Sequence, residues 1–159
     1  LDLIEDSFIQ VSRALSEERK DYIASLLKNS LTDTDLNYIE YKRLLSILGE
    51  LNDLEILILK SMNLRPHGTV VHEFWVTHGE ALTPPRLTIG TAVQRDFDKS
   101  AIFKTHNLHL LSLGLIKPVF SRIRDGELPK FDDETGMLHA RRHQITDLGK
   151  LLLKCIDQN

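Results

Sequence analysis

A chain of 159 residues with 42% hydrophobic and 27% charged side chains can bury a genuine core, so it is not a disordered segment. The single Cys155 excludes an internal disulfide, and a net charge of −3 argues against indiscriminate nucleic-acid binding through bulk electrostatics. The length fits one domain, or one domain with an appended helical arm.

Leu1, Ile4, Phe8, Val11 and Leu15 recur at steps of three and four, a narrow apolar stripe on one helix face. The stripe is expected to pack on its own domain, with pairing to a second copy as the functional alternative. Ser16 followed by Glu17, Glu18 and Arg19 reads as a helix start, because a serine cap and early acids both favour exposed amides. That helix is expected to turn Tyr22, Ile23, Leu26, Leu27 and Leu31 inward. Thr32-Asp33-Thr34-Asp35 then breaks it and caps a third helix, whose expected buried face is Leu36, Ile39, Leu44, Ile47, Leu48 and Leu51. Asn52 with Glu55 three residues on predicts a capping box. It opens Leu54, Ile56, Leu57, Ile58, Leu59 and Met62, apolar nearly all round and therefore placed at the centre of the fold. These apolar runs are too short to span a bilayer.

Pro66 and Gly68 end the central helix. Residues Thr69 to Thr77 alternate, with Val70, His72, Phe74 and Val76 on one side and Val71, Glu73, Trp75 and Thr77 on the other, which predicts a strand. Pro84-Pro85 excludes regular structure. Helical spacing resumes over 93–113, with Phe103 and Leu110 inward, Ile102 beside them, and Lys99, Lys104, His106 and His109 outward. Gly114 stops this helix. Two extended runs follow, 117–124 and 137–145, and Thr146 opens a closing helix from Asp147 to Leu153.

Helix, hairpin and closing helix in that order are the back half of a winged helix. The predicted fold is mainly α with a small antiparallel sheet: a helical amino-terminal arm over 1–51 and a winged-helix domain over 52–159. In a DNA reader of this type Lys99, Lys104 and Asn107 would enter the major groove, and Arg122, Arg124, Arg141 and Arg142 would contact phosphates. The hairpin tip opposes that use, because 125–136 holds Asp125, Glu127, Asp132, Asp133 and Glu134 against Lys130 alone. Charge is also divided along the chain: residues 1–62 carry 12 acids against 7 Lys and Arg, whereas 95–154 carry 11 Lys and Arg against 8 acids.

Catalytic patterns are thin. Seven histidines invite a metal, but there is no second cysteine and no His-Glu-x-x-His motif; His139 and His143 sit two pleats apart on an extended run. There is no Gly-x-Ser-x-Gly elbow and no glycine-rich phosphate loop, so no cofactor, metal or catalytic residue is assigned. His72-Glu73 beside Trp75 is the one alternative, as an acid–base pair in a pocket.

Glu18-Arg19-Lys20-Asp21-Tyr22-Ile23-Ala24-Ser25-Leu26-Leu27-Lys28-Asn29-Ser30-Leu31 resembles a segment of the abortive-infection alpha (Abi-alpha) family of bacterial proteins. The likeness continues through Leu48, Leu51 and Leu54-Glu55 into Ile56-Leu57-Ile58-Leu59. It closes with Gly114-Leu115-Ile116 and Ile145-Thr146-Asp147-Leu148-Gly149. It spans residues 17–156 discontinuously. The resemblance implies a role in phage defence and transfers no catalytic residue. The expectation is a non-enzymatic binding protein in bacterial defence or regulation. It would act through a protein partner or self-association of its amino-terminal helices, through double-stranded DNA, or both. A sequence-specific DNA-binding regulator is the first alternative. No membrane contact is expected, and the lone cysteine without a secretory leader suits the cytoplasm. The opening at Leu1 rather than Met is compatible with a piece of a longer chain.

Overall fold

The computed structural model describes residues 2–13, 16–32, 36–64, 69–85, 93–123, 126–131 and 136–158. The chain runs through helices α1 (Asp2–Arg13), α2 (Glu17–Thr32), α3 (Tyr38–Glu50), α4 (Asp53–Asn63), α5 (Thr69–Leu82) and α6 (Gln94–Ser112). Strands β1 (Ile116–Val119) and β2 (Arg142–Ile145) and helix α7 (Asp147–Cys155) complete it. The fold is mainly α with a small antiparallel sheet, as predicted. Helix α6, the hairpin and α7 follow one another in the predicted order.

The caps explain where the amino-terminal helices begin. Ser16 Oγ accepts the Arg19 amide at the start of α2. Asn52 and Glu55 form the predicted box at the start of α4, each side chain accepting from the other's amide at 2.9 Å. For α3 the expectation shifts: Asn37 is the cap, boxed with Glu40. Asp33, Thr34 and Asp35 lie outside the described residues.

Helix α4 is central, as predicted. It packs against α5, α6, α7 and β2, and buries Ile56, Ile58 and Leu59. One apolar cluster runs from Leu3 on α1 through Ile23 and Leu26, Leu44 to Leu48, and Leu110, to Leu152, Leu153 and Ile156. Cys155 is buried within it. Two polar ties reinforce this packing. The Arg19 guanidinium donates to the carbonyls of Leu48 and Leu51, holding the last turn of α3 against the start of α4. The Asn29 amide donates to the Cys155 carbonyl at 2.8 Å, fastening α2 to α7.

Several inward assignments are corrected. Ile39 is 76% exposed, and Tyr41 and Leu45 take its place in the core. Leu31 is exposed at the end of α2. On α1 the buried residues are Leu3 and Ser7, one residue off the predicted stripe, so Ile4 and Phe8 face solvent. On the same side of α1 the Gln10 side-chain amide donates to the Leu45 carbonyl at 2.9 Å, tying that face to α3.

The predicted strand at 69–77 is helix α5 instead. Among the described residues no strand lies beside it, so an extended segment would leave its amides without a ladder, whereas a helix satisfies them internally. Helical spacing also gives the segment an apolar face: Phe74 and Leu82 are buried, with His78 tilted on the Phe74 ring at 5.0 Å. Val71 and Val76 favour a strand only weakly against that packing.

The hairpin is shorter than predicted. Ile116 pairs with Ile145 and Val119 with Arg142 in an antiparallel register. Farther out, Phe131 and Leu138 make an isolated bridge.

Gly114 and Gly149 shape the junction between α6, the hairpin and α7. Gly114 has φ of +73°, a left-handed turn that lets the Leu115 amide reach the Leu110 carbonyl and the Gly114 amide reach Leu111. Leu110 and Leu115, which that turn brings together, are both fully buried. Thr146 then accepts the Gly149 amide to cap α7, while its hydroxyl donates to the Gly114 and Leu115 carbonyls. At Gly149 a Cβ would lie 2.5 Å from the Leu115 carbonyl oxygen, so only glycine allows this approach. The two sequence motifs Gly114-Leu115-Ile116 and Ile145-Thr146-Asp147-Leu148-Gly149 are therefore one spatial joint.

Candidate functional site

Helix α6 and the hairpin flank a surface groove of about 710 Å³. Its apolar lining includes Phe103, Leu108, Leu111, Phe120, Met137 and Leu138. Leu108, Phe120, Met137 and Leu138 are all exposed. Among the described residues the polar lining is Ser100, Lys104, Asn107, His139 and His143, with no carboxylate. The floor of the groove is set by the α6 periodicity, since Phe103 and Leu111 lie on the flank of the face that buries Leu110.

The described site residues divide among four places. Lys104 and Asn107 line this groove. Lys99 lines a separate hollow of about 530 Å³ between α5 and α6, with Glu80, Ile102 and His106. Lys104 is five positions on from Lys99, which turns the two lysines well apart around the helix. Arg122 lines a third hollow at the base of the hairpin tip, beside Glu127, Lys130 and His139. Arg141 and Arg142 are exposed at the start of β2; the Arg141 amide bonds the Val119 carbonyl at 2.9 Å. Arg124 lies outside the described residues. So do Asp125, Asp132, Asp133 and Glu134 of the tip.

His106 and His109 do not face outward. Both imidazoles turn onto Glu55, whose Oε1 lies 3.1 Å from Nδ1 of His106 and 2.9 Å from Nδ1 of His109. The Glu55 side chain is only 3% exposed, and its Oε2 accepts the Asn52 amide. Burial works to raise the Glu55 pKa, but hydrogen bonds from Asn52, His109 and His106 outweigh it and hold the carboxyl below the usual range. Asn52 Nδ2 also lies 3.2 Å from the His106 Nδ1, so the ring's tautomer selects between its two neighbours. The sequence offered a weak signal for this cluster. His106 and His109 stand three apart on the side of α6 that carries Leu110, and Glu55 is the one acid inside an otherwise apolar run. Among the described residues, no cluster of His, Cys, Asp or Glu is arranged to hold a metal ion.

His72, Glu73 and Trp75, the alternative acid–base neighbourhood, fall on α5 and are exposed. Phe74 between them is the buried residue, and its ring meets Trp75 edge-on at 5.8 Å. None of the three lines the hollows described above. Among the described residues no helix is long and apolar enough to cross a membrane. Compared with known protein families, curated proteins and solved structures, the chain matches none.

Proposed function

We propose that this chain is a non-enzymatic binding module of winged-helix type whose working surface is the groove between α6 and the hairpin. Its partner is a protein. The observation that carries this reading is the apolar lining: Leu108, Phe120, Met137 and Leu138 keep large hydrophobic surfaces in water around one concavity. Contiguous exposed apolar area rimmed by polar groups marks protein contact, and aromatic and methionine side chains are enriched there. The setting attached to it, phage defence or regulation in a bacterial cytoplasm, rests on the Abi-alpha resemblance of the helical segments and the terminal joint.

A duplex-DNA reader is the second reading, supported by the exposed Arg141 and Arg142 on the hairpin. The first reading is favoured because a phosphate-tracking surface calls for grouped cations, and among the described residues Lys104 is the only Lys or Arg that lines the groove.

Two titrations on the full chain test the choice. An anionic apolar dye such as anilinonaphthalene sulfonate is expected to bind one saturable site. Leu108→Glu or Met137→Glu should weaken it on the order of tenfold, about 1.4 kcal/mol. Random-sequence duplex DNA at low salt is expected to bind weakly or not at all. Tight, salt-sensitive duplex binding that disappears with Arg141→Glu and Arg142→Glu would replace the protein reading with the DNA one.

A further inference from the structure

Glu55 is a carboxylate set in an otherwise apolar helix, with its side chain only 3% exposed. A buried charge is costly to keep, and a buried acid tied to titratable partners beside a hollow is a mark of a binding site. Both of its oxygens are engaged inside the protein: Oε2 accepts the Asn52 amide, and Oε1 takes both histidine rings. His106 is where this cluster reaches a surface. Its side chain is 19% exposed and lines the hollow of about 530 Å³ between α5 and α6. Since Nδ1 is engaged by Glu55 and Asn52, Nε2 is the ring nitrogen left for the hollow.

That nitrogen can play either role. Nδ1 lies near an acceptor, Glu55 Oε1 at 3.1 Å, and near a donor, Asn52 Nδ2 at 3.2 Å. When Nδ1 donates to Glu55, Nε2 accepts; when Nδ1 accepts from Asn52, Nε2 carries the proton and donates. A hydroxyl on a ligand serves both states, because it is donor and acceptor at once. Lys99 precedes His106 by nearly two turns of α6, so the two share one side of the helix roughly 10 Å apart along its axis. Ile102 and Phe103 lie between them, and Leu54 and Ala81 extend the apolar lining. Among the described residues Glu80, on α5, is the one acid in that lining, and it disfavours a second anionic group.

We infer that this hollow is a second binding site. Its ligand is a small monoanion carrying a carboxylate and a hydroxyl roughly 10 Å apart on an apolar, ring-sized body, as in a phenolic acid. The hydroxyl meets Nε2 of His106, the body lies over Ile102 and Phe103, and the carboxylate meets Lys99. Glu55 does not touch the ligand; it positions His106. A volume of about 530 Å³ falls in the range of small-molecule sites, roughly 300–1,000 Å³. This site stands apart from the groove, although Phe103 lines both.

Titration of the isotope-labelled full chain, followed by heteronuclear NMR, tests this with three probes. They are para-hydroxyphenylpropionate, phenylpropionate without the hydroxyl, and para-ethylphenol without the carboxylate. The first is expected to give saturable shifts at Lys99, Ile102 and the His106 ring. Each of the others should bind on the order of tenfold more weakly. Lys99 is exposed, so Lys99→Met leaves the fold intact. That variant should weaken hydroxyphenylpropionate on the order of tenfold and leave ethylphenol unchanged.

Three results overturn the inference: no saturable shift at these residues, phenylpropionate binding as tightly as its hydroxylated form, or Lys99→Met weakening ethylphenol as much as the acid. Shifts confined to Leu108, Met137 and Leu138 also overturn it, since they put the probe in the groove. That outcome leaves the groove reading standing.

Discussion

Glu55 and His109 stand 54 residues apart in the chain, yet Oε1 of the one lies 2.9 Å from Nδ1 of the other. The contact pins the last turn of α6 to the first turn of α4, and His106 adds a second bond to the same oxygen. One carboxylate therefore closes the α4 cap and orients the helix that forms one wall of the groove.

Replacing Glu55 by Gln should cost about 1–3 kcal/mol near neutral pH, since buried donors lose a charged acceptor. The sign with pH follows from the lowered pKa. A carboxyl held below its unfolded value of roughly 4.3 contributes stability above that pH and loses it as pH falls through the folded pKa. Denaturant midpoints followed from pH 7 downward should show wild type losing its advantage over Glu55→Gln in that acid range. A constant difference at every pH would disconnect the carboxylate from acid unfolding.

Two glycine substitutions should separate steric from conformational cost. At Gly149 the added methyl meets the Leu115 carbonyl oxygen at 2.5 Å and Ile145 Cγ1 at 2.7 Å. That carbonyl already accepts the Thr146 amide and hydroxyl, so it has little freedom to retreat. Gly149→Ala should therefore destabilise by about 1–3 kcal/mol, the range for overpacking. At Gly114 nothing lies within 4 Å, and only the φ of +73° opposes a side chain. Gly114→Ala should cost about 1–2 kcal/mol, with Gly114→Asn milder because asparagine tolerates that conformation. Equilibrium unfolding in which neither alanine variant is destabilised, or in which Gly114→Asn costs as much as Gly114→Ala, would contradict this account of the joint.

Thr146→Val keeps the shape but removes both the α7 cap and the donor to Gly114 and Leu115. It should lower stability by about 0.5–2 kcal/mol. Thr146→Ser retains the hydroxyl and should recover most of that loss. If Ser were as unstable as Val in thermal melts, the hydroxyl would not be the group that matters.

Arg19 carries the other joint. Its guanidinium donates to two carbonyls at the end of α3, and burial lowers its pKa against the opposing pull of Asp53, Tyr22 and Glu55. Arg19→Met should cost about 1.5–3 kcal/mol, the range for hydrogen bonds from a charged donor. Amide hydrogen exchange in the last turn of α3 should accelerate with it; unchanged exchange there would remove the capping role.

Local rules made several elements legible. The Asn52–Glu55 box, the Gly114 stop and the Thr146 start depend on side chains within a few residues of the backbone groups they satisfy, so their spacing is enough. The central run at Leu54–Leu59 was legible because a helix apolar on every side has no stable position except the interior. Residues 69–77 were not legible. Their alternation satisfies a strand, and only the presence of α4 beside Phe74 and Leu82, with no strand to pair, turns the segment helical.

The candidate site follows the same division. Sequence by itself determined that α6 is a helix ending at Gly114, that a hairpin follows, and that Lys104 and Asn107 lie on α6. Tertiary structure alone decided that His106 and His109 turn inward, that Lys99 lies in a different hollow from Lys104, and that exposed apolar side chains gather into a groove. It also decided which face of α1 is buried, the one that carries Leu3, Ser7 and the Gln10 bond to the Leu45 carbonyl 35 residues away. Caps and turns are short-range bonds written in neighbouring letters. The choice of face depends on partners dozens of residues away, and no local spacing encodes where those partners will stand.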